Sequence, residues 1–105
     1  MSMNNIFDEI PSLLESEAFD EILMSENVRI ERILSKGHVS PESGWYDQEE
    51  NEWVIILRGS AVLDFDDGTT VRLDAGSHFN ISAHRKHMVS WTEPDTVTVW
   101  LAVFY

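Results

Sequence analysis

The sequence predicts an all-β domain, an antiparallel sandwich or barrel-like jelly roll, opened by a short helical segment. Three observations carry this expectation. Short segments rich in β-branched and aromatic residues recur over residues 28–105. Nothing between them is long and amphipathic enough to act as a helical crossover. Two of them are joined by Asp66-Asp67-Gly68, a hairpin signal. The chain has 105 residues, 43% of them hydrophobic, which suits one domain. At that size folding buries roughly two-thirds of the surface of the unfolded chain.

The elements follow in order. In the first two dozen residues Pro11 can open a turn, and Leu13, Leu14, Phe19, Ile22 and Leu23 make an apolar stripe among Glu15, Glu17, Asp20 and Glu21. Residues 1–27 are therefore expected to form a helical extension packed on a β domain at 28–105. VRIERILS at 28–35 is β-branched, and the turn-rich connection GHVSPESG at 37–44 follows it. EWVIILRG at 52–59 and AVLDF at 61–65 lead into the hairpin, and TTVRL at 69–73 leaves it. Short strands are expected at 79–81 and 87–91. The last, TVTVWLAVFY, is apolar on both faces and so is either central or covered by a partner, which makes a homodimer plausible.

Composition excludes several classes of function. With no cysteine, disulfides, thiolate catalysis and sulfur-ligated metals are out, and any site falls to His, Asp, Glu, Gln and water. Nineteen acidic against seven basic residues give a formal charge of −12, which repels phosphate backbones and anionic lipids and argues against nucleic-acid or membrane partners. The amino terminus is acidic and polar rather than basic and then apolar, and no run is long enough to span a bilayer, so the expected location is the cytoplasm.

Two residues stand apart. Glu52 opens an apolar strand, where a carboxylate must lie at the rim, be paired, or coordinate a cation, because burying an unpaired charge costs several kcal/mol. His87 opens another strand and shares a face with Val89 and Trp91 if that strand alternates regularly. It is then either a hydrogen-bonded core residue or a ligand. Three of the four histidines, His78, His84 and His87, fall within ten residues.

These residues resemble the two signature motifs of the cupins, small jelly-roll β-barrels whose members commonly hold one metal ion in the barrel mouth. Glu52 and Gly59 match the end of the first motif. Gly76 and His87 match the second, with Ser82 in place of its proline, His84 in place of its second glycine and Trp91 in place of its asparagine. The resemblance implies a cupin barrel over residues 28–105 and one divalent transition metal, Zn²⁺, Fe²⁺, Mn²⁺ or Ni²⁺, in its mouth. Metal-binding cupins carry a histidine pair shortly before the glutamate, and here that window reads WYDQEEN. Its two registers offer Trp45 and Asp47, or Tyr46 and Gln48. The candidate ligands are accordingly Asp47, Gln48, Glu52, His84 and His87.

Tyr46 and Trp91 enter the pocket on register alone. Arg85 and Lys86 beside the mouth could meet an anionic group on a ligand, or simply offset nearby acids. His78 and His38 read as structural or exposed. Two functions fit: a metal-dependent enzyme acting on a small organic molecule, with dioxygenase or isomerase-type chemistry, or a non-catalytic small-molecule-binding or sensor protein with a degenerate metal site.

Overall fold

The computed structural model describes residues 4–105, which form eight β-strands and no helix. They are β1 (Ala18–Met24), β2 (Arg29–Ser35), β3 (Glu52–Arg58), β4 (Ser60–Phe65), β5 (Thr70–Asp74), β6 (His78–Ile81), β7 (His87–Thr92) and β8 (Thr98–Phe104). The five-stranded sheet runs β1-β2-β8-β3-β6 and the three-stranded sheet β5-β4-β7, every pairing antiparallel.

Alternation builds the core. In β3 the buried side chains are Glu52, Val54 and Ile56, and in β4 they are Ala61, Leu63 and Phe65, two residues apart as a pleated strand requires. With Ile33, Leu73, Ile81, Trp100, Ala102 and Phe104 they fill the space between the sheets. A smaller cluster of Leu34, Val97 and Val99 lies against Ile10, Leu14, Ala18 and Leu57.

Two expectations are corrected. Of the expected helical segment, residues 1–3 lie outside the described residues and residues 4–27 are not helical: Ala18–Met24 is the edge strand β1, in register with β2 from Ala18 opposite Leu34 to Met24 opposite Arg29. Its apolar stripe does not bury as a helix face would. Ile10 and Leu14 pack on the smaller cluster, whereas Leu13 is 83% exposed and Phe19, Ile22 and Leu23 are exposed as well. Pairing with β2 outweighs the weak helical period. Nor do the sheets close into a barrel. The free edge of β7 is taken by the loop between β2 and β3, through the bridges Ser40 to Val89 and Tyr46 to His87, so that no strand of the larger sheet joins it. The architecture is a jelly-roll sandwich. No helix of the described residues is long and apolar enough to cross a membrane.

Gly59, between β3 and β4, has φ +91°, and a Cβ there would meet Thr98 Oγ1 and lie 2.7 Å from Thr98 Cα. Gly68 has a similar φ of +89° but open space around it. A left-handed backbone costs a residue with a Cβ about 1–2 kcal/mol, and overpacking adds about 1–3. Gly59→Ala is therefore expected to lower the melting temperature by roughly 10 °C or more, and Gly68→Ala by about half that. Thermal denaturation followed by circular dichroism checks the difference; equal losses would mean that the Thr98 contact is not felt.

Candidate functional site

The alternation of β3 turns Glu52 inward between two apolar cross-strand neighbours, Phe104 of β8 and Ile81 of β6, and leaves it 8% exposed. On the facing sheet β7 opens with His87, 3% exposed and opposite Phe65 of β4. The two side chains meet across the gap, with His87 Nε2 at 3.6 Å from Glu52 Oε1. That is ion-pair range, longer than a formed hydrogen bond. The other ring nitrogen, Nδ1, lies 2.8 Å from the Arg85 carbonyl, to which it donates, so Nε2 is the nitrogen presented to Glu52. The Gln48 amide donates to Glu52 Oε1 at 3.0 Å.

The loop on the edge of β7 completes the site. Tyr46 exchanges two backbone hydrogen bonds with His87, 2.8 and 3.1 Å, which puts both side chains on the same inward face with ring centroids 5.5 Å apart. Ser40 pairs with Val89 in the same way. Together these residues line a cavity of about 100 Å³ that opens to solvent, its apolar side formed by Phe19, Ile33, Val54, Leu63, Ile81, Val89, Phe104 and the Trp100 ring. Its polar lining is Glu17, Ser40, Tyr46, Gln48, Glu52 and His87.

Burial by itself would depress the His87 pKa, but the neighbouring Glu52 carboxylate and the Arg85 carbonyl outweigh it, and the net direction is up from 6.5. Burial also pushes the Tyr46 phenol up; the Ser40 hydroxyl opposes this, and the charges of Glu17 and Glu52 add to it. Tyr46 is thus a neutral donor at ordinary pH. Trp100 is 3% exposed and its indole Nε1–H has no hydrogen-bond partner among the described residues.

The five candidate ligands fall into two groups. Gln48, Glu52 and His87 converge on the cavity. Asp47 and His84 are exposed and pair with each other instead, Oδ1 to Nδ1 at 2.8 Å. Of the two registers before Glu52, it is Tyr46 and Gln48 that face the cavity. His84 has φ +63°, and its backbone N–H donates to the Gln48 carbonyl at 2.8 Å, so it serves as the left-handed residue of the turn into β7.

Trp91, expected beside Tyr46, is not in the cavity. Val62 pairs with Trp91 but Leu63 pairs with Val89, so Ser90 is an extra residue that reverses the alternation. Trp91 therefore faces outward, with the Arg72 guanidinium 5.2 Å from its ring. Arg85 and Lys86 do not line the cavity either; Arg85 lies over the Phe65 ring at 3.9 Å and 3.8 Å from Asp67. His78 stacks on Trp53 at 5.6 Å, and His38 Nδ1 accepts from the Lys36 amide. Sequence reasoning missed Glu17, Phe19, Ser40 and Trp100. The first two were assigned to a helix, and Trp100 was hidden in a strand apolar on both faces.

A protein of Ralstonia eutropha JMP134, provisionally named a mannose-6-phosphate isomerase, is 34% identical over 99% of this chain and 97% of that one, with a TM-score of 0.92. A cupin superfamily protein of Desulfitobacterium hafniense DCB-2 is 18% identical over 90% and 82% of the two chains, TM-score 0.74. An RmlC-like cupin of Desulfovibrio desulfuricans is 15% identical over 99% and 96%, TM-score 0.75. The chain belongs to the cupin superfamily. No protein-family model matches the sequence, and no curated protein does.

The glycines of the cupin motifs acquire a physical reason here, since Gly59 and Gly76 both have φ near +90° and His84 stands in the left-handed region where the motif has its second glycine. The metal that the superfamily implies fits the donors poorly. Among the described residues no three His, Cys, Asp or Glu side chains converge. Glu52 and His87 supply two strong donors where a catalytic zinc site takes three. The third group, Gln48, presents its amide N–H to the carboxylate rather than an oxygen to the cavity.

If His84 is a turn residue, His84→Gly relieves its backbone and loses only the exposed Asp47 pair. The melting temperature is then expected to stay within about 3 °C of wild type, because the two effects are each near 1 kcal/mol and opposed. A large drop in a thermal scan would show that the imidazole has another task.

The raised His87 pKa has a signed consequence. A histidine whose folded pKa lies above its unfolded value contributes stability that is fully present below pH 6.5 and is lost as pH rises through the folded pKa. His87 is thus expected to titrate above 6.5 in an imidazole-detected NMR experiment and to fall in Glu52→Gln. The stability advantage of wild type over that variant should shrink over the same pH window.

Proposed function

We propose that this cupin binds a small organic molecule in its cavity and moves a proton on it, an isomerase-type reaction with Glu52 and His87 as the acid–base pair and no resident metal. The observation that supports it is the buried Glu52–His87 pair, 3.6 Å apart on the wall of an otherwise largely apolar cavity. Glu52, ionised, takes the proton from a carbon beside a carbonyl. Gln48 holds the carboxylate oxygen in place, and protonated His87 returns a proton from Nε2 to the neighbouring oxygen or carbon. The protons taken and returned balance, the electrons stay within the substrate, and no co-reactant is needed. The Ralstonia protein is named, provisionally, for an isomerase, which agrees with this class of reaction.

The second reading is binding without chemistry. What favours it is that Glu52 is already partnered at rest, by Gln48 at 3.0 Å and by His87.

Proton exchange separates the two. A panel of hydroxyacetone, dihydroxyacetone, glyceraldehyde, mannose and mannose 6-phosphate is incubated with the protein in D₂O and followed by proton NMR. Catalysed deuterium uptake beside the carbonyl of at least one compound is expected, with a loss of roughly 100-fold or more in Glu52→Gln. Dialysis against a chelator should change neither the exchange rate nor the melting temperature. No uptake with any compound favours the binding reading, and a chelator-sensitive rate with stoichiometric metal overturns the metal-free part.

A further inference from the structure

The outer strand of a sheet leaves one row of backbone N–H and C=O groups unpaired, and proteins keep such rows from recruiting other chains by making the strand short, charging it with lysine, breaking it with proline or covering it. Three edges here are guarded in these ways. β6 has only four residues, β5 exposes the polar side chains Thr70, Arg72 and Asp74, and β7 is covered by the loop bridges at Ser40 and Tyr46.

β1 is the exception. It is seven residues long, has neither lysine nor proline, and pairs with β2 alone. Among the described residues no other backbone group bonds to it. All of its residues except Ala18 are exposed, and these include Phe19, at 55%, Ile22, Leu23 and Met24. One blunting device is present, the extra residue Ile22, which leaves residues 18–21 as the regular stretch open to pairing.

Charge decides what can occupy this edge. Before Arg29 the chain carries seven acidic residues and no lysine or arginine. Among the described residues only Asp20 of these acids is ion-paired with a basic side chain, that of Arg32 at 2.7 Å. Glu21 lies directly opposite Glu31 of β2, whose own partner is Arg29. Two copies meeting edge to edge through β1 would therefore oppose two uncompensated acidic segments, on chains of formal charge −12 each. A basic segment is attracted to the same place.

We propose that the free edge of β1 is a docking site for an extended segment of another protein bearing basic and apolar side chains, which adds to the five-stranded sheet beside residues 18–21. Main-chain hydrogen bonds to the open edge supply affinity, and side chains select the partner. Its basic groups offset Glu21 and the acids around it, and its apolar groups cover Phe19. Phe19 also lines the cavity, so the docked segment lies at the cavity mouth. The docking site stands whether or not the cavity carries out proton transfer.

A peptide titration tests it. The full chain, ¹⁵N-labelled and at low ionic strength, where exposed charges are least screened, receives capped Lys-Val-Lys-Val-Lys-Val-Lys. One control peptide has glutamate for every lysine, and the other has proline for the central valine. The lysine peptide is expected to move the backbone amide signals of residues 18–21 and to slow their exchange with solvent. The proline version should bind about fivefold more weakly, having lost ladder hydrogen bonds. The glutamate version should leave the signals in place. Glu21→Lys changes an exposed side chain and relieves its contact with Glu31, so its melting temperature should not fall, and it should bind the lysine peptide about fivefold more weakly.

Edge pairing is overturned if the lysine peptide leaves these amides unmoved, or if the proline version binds as tightly. The basic partner is overturned if the glutamate peptide binds as well, or if Glu21→Lys binds the lysine peptide as tightly as wild type. Should the protein alone double in mass on concentration while the same amides shift, the occupant is a second copy and the proposal is wrong.

Discussion

Glu52 is a carboxylate set between Phe104 and Ile81 in an apolar sheet face, and the site is arranged around what that placement costs. An ionised carboxylate removed from water is penalised by several kcal/mol unless charge and hydrogen bonds replace its hydration. Two replacements reach it, the Gln48 amide from the loop and the His87 imidazole from the opposite sheet. Neither belongs to the strand that carries Glu52. The acid therefore ties the two sheets and the loop to one another, and the cavity is the space left where they cannot pack against a charged group as they would against a leucine.

The failure of the sheets to close serves the same arrangement. If a strand of the larger sheet occupied the free edge of β7, the inward positions beside His87 and Val89 would belong to a regular strand. The loop takes that edge with only two bridges, at Ser40 and Tyr46, and is free to turn Gln48 under the carboxylate and to accept the His84 N–H on the Gln48 carbonyl. His84 can make that turn because it adopts a left-handed backbone, a conformation most residues with a Cβ avoid.

The parts of this arrangement that were legible in the sequence are those governed by strict two-residue alternation. β3 and β4 read correctly because their apolar residues bury in step, the other strands from β2 to β8 by their β-branched and aromatic content, and Glu52 and His87 stood out as polar residues at the start of apolar strands. Three features escaped for separate physical reasons. The apolar residues of the first strand satisfy a helical period about as well as a strand, and only pairing with β2 decides between them. Trp91 leaves the cavity because of one unpaired residue, Ser90, and a bulge has no reliable signature when its residue is neither glycine nor proline. His84 reads as a ligand or as a turn residue from the same letters, and the positive φ that marks its turn role is a backbone property.

The two positions before Glu52 show how a metal site and a proton-transfer site can share one frame. In metal-binding cupins histidines there would help to hold a cation that neutralises the glutamate. Here the inward positions carry Tyr46 and Gln48, a neutral phenol and a neutral amide; the amide hydrogen-bonds the carboxylate, and neither brings charge. The compensating charge must then come from His87. In its protonated form the imidazole makes the pair neutral overall, and once it loses its proton Glu52 keeps only the amide of Gln48. The group that balances the acid is thus an imidazole, itself able to gain and lose a proton, so the charge partner of Glu52 in the apolar wall is also a proton carrier on the cavity surface.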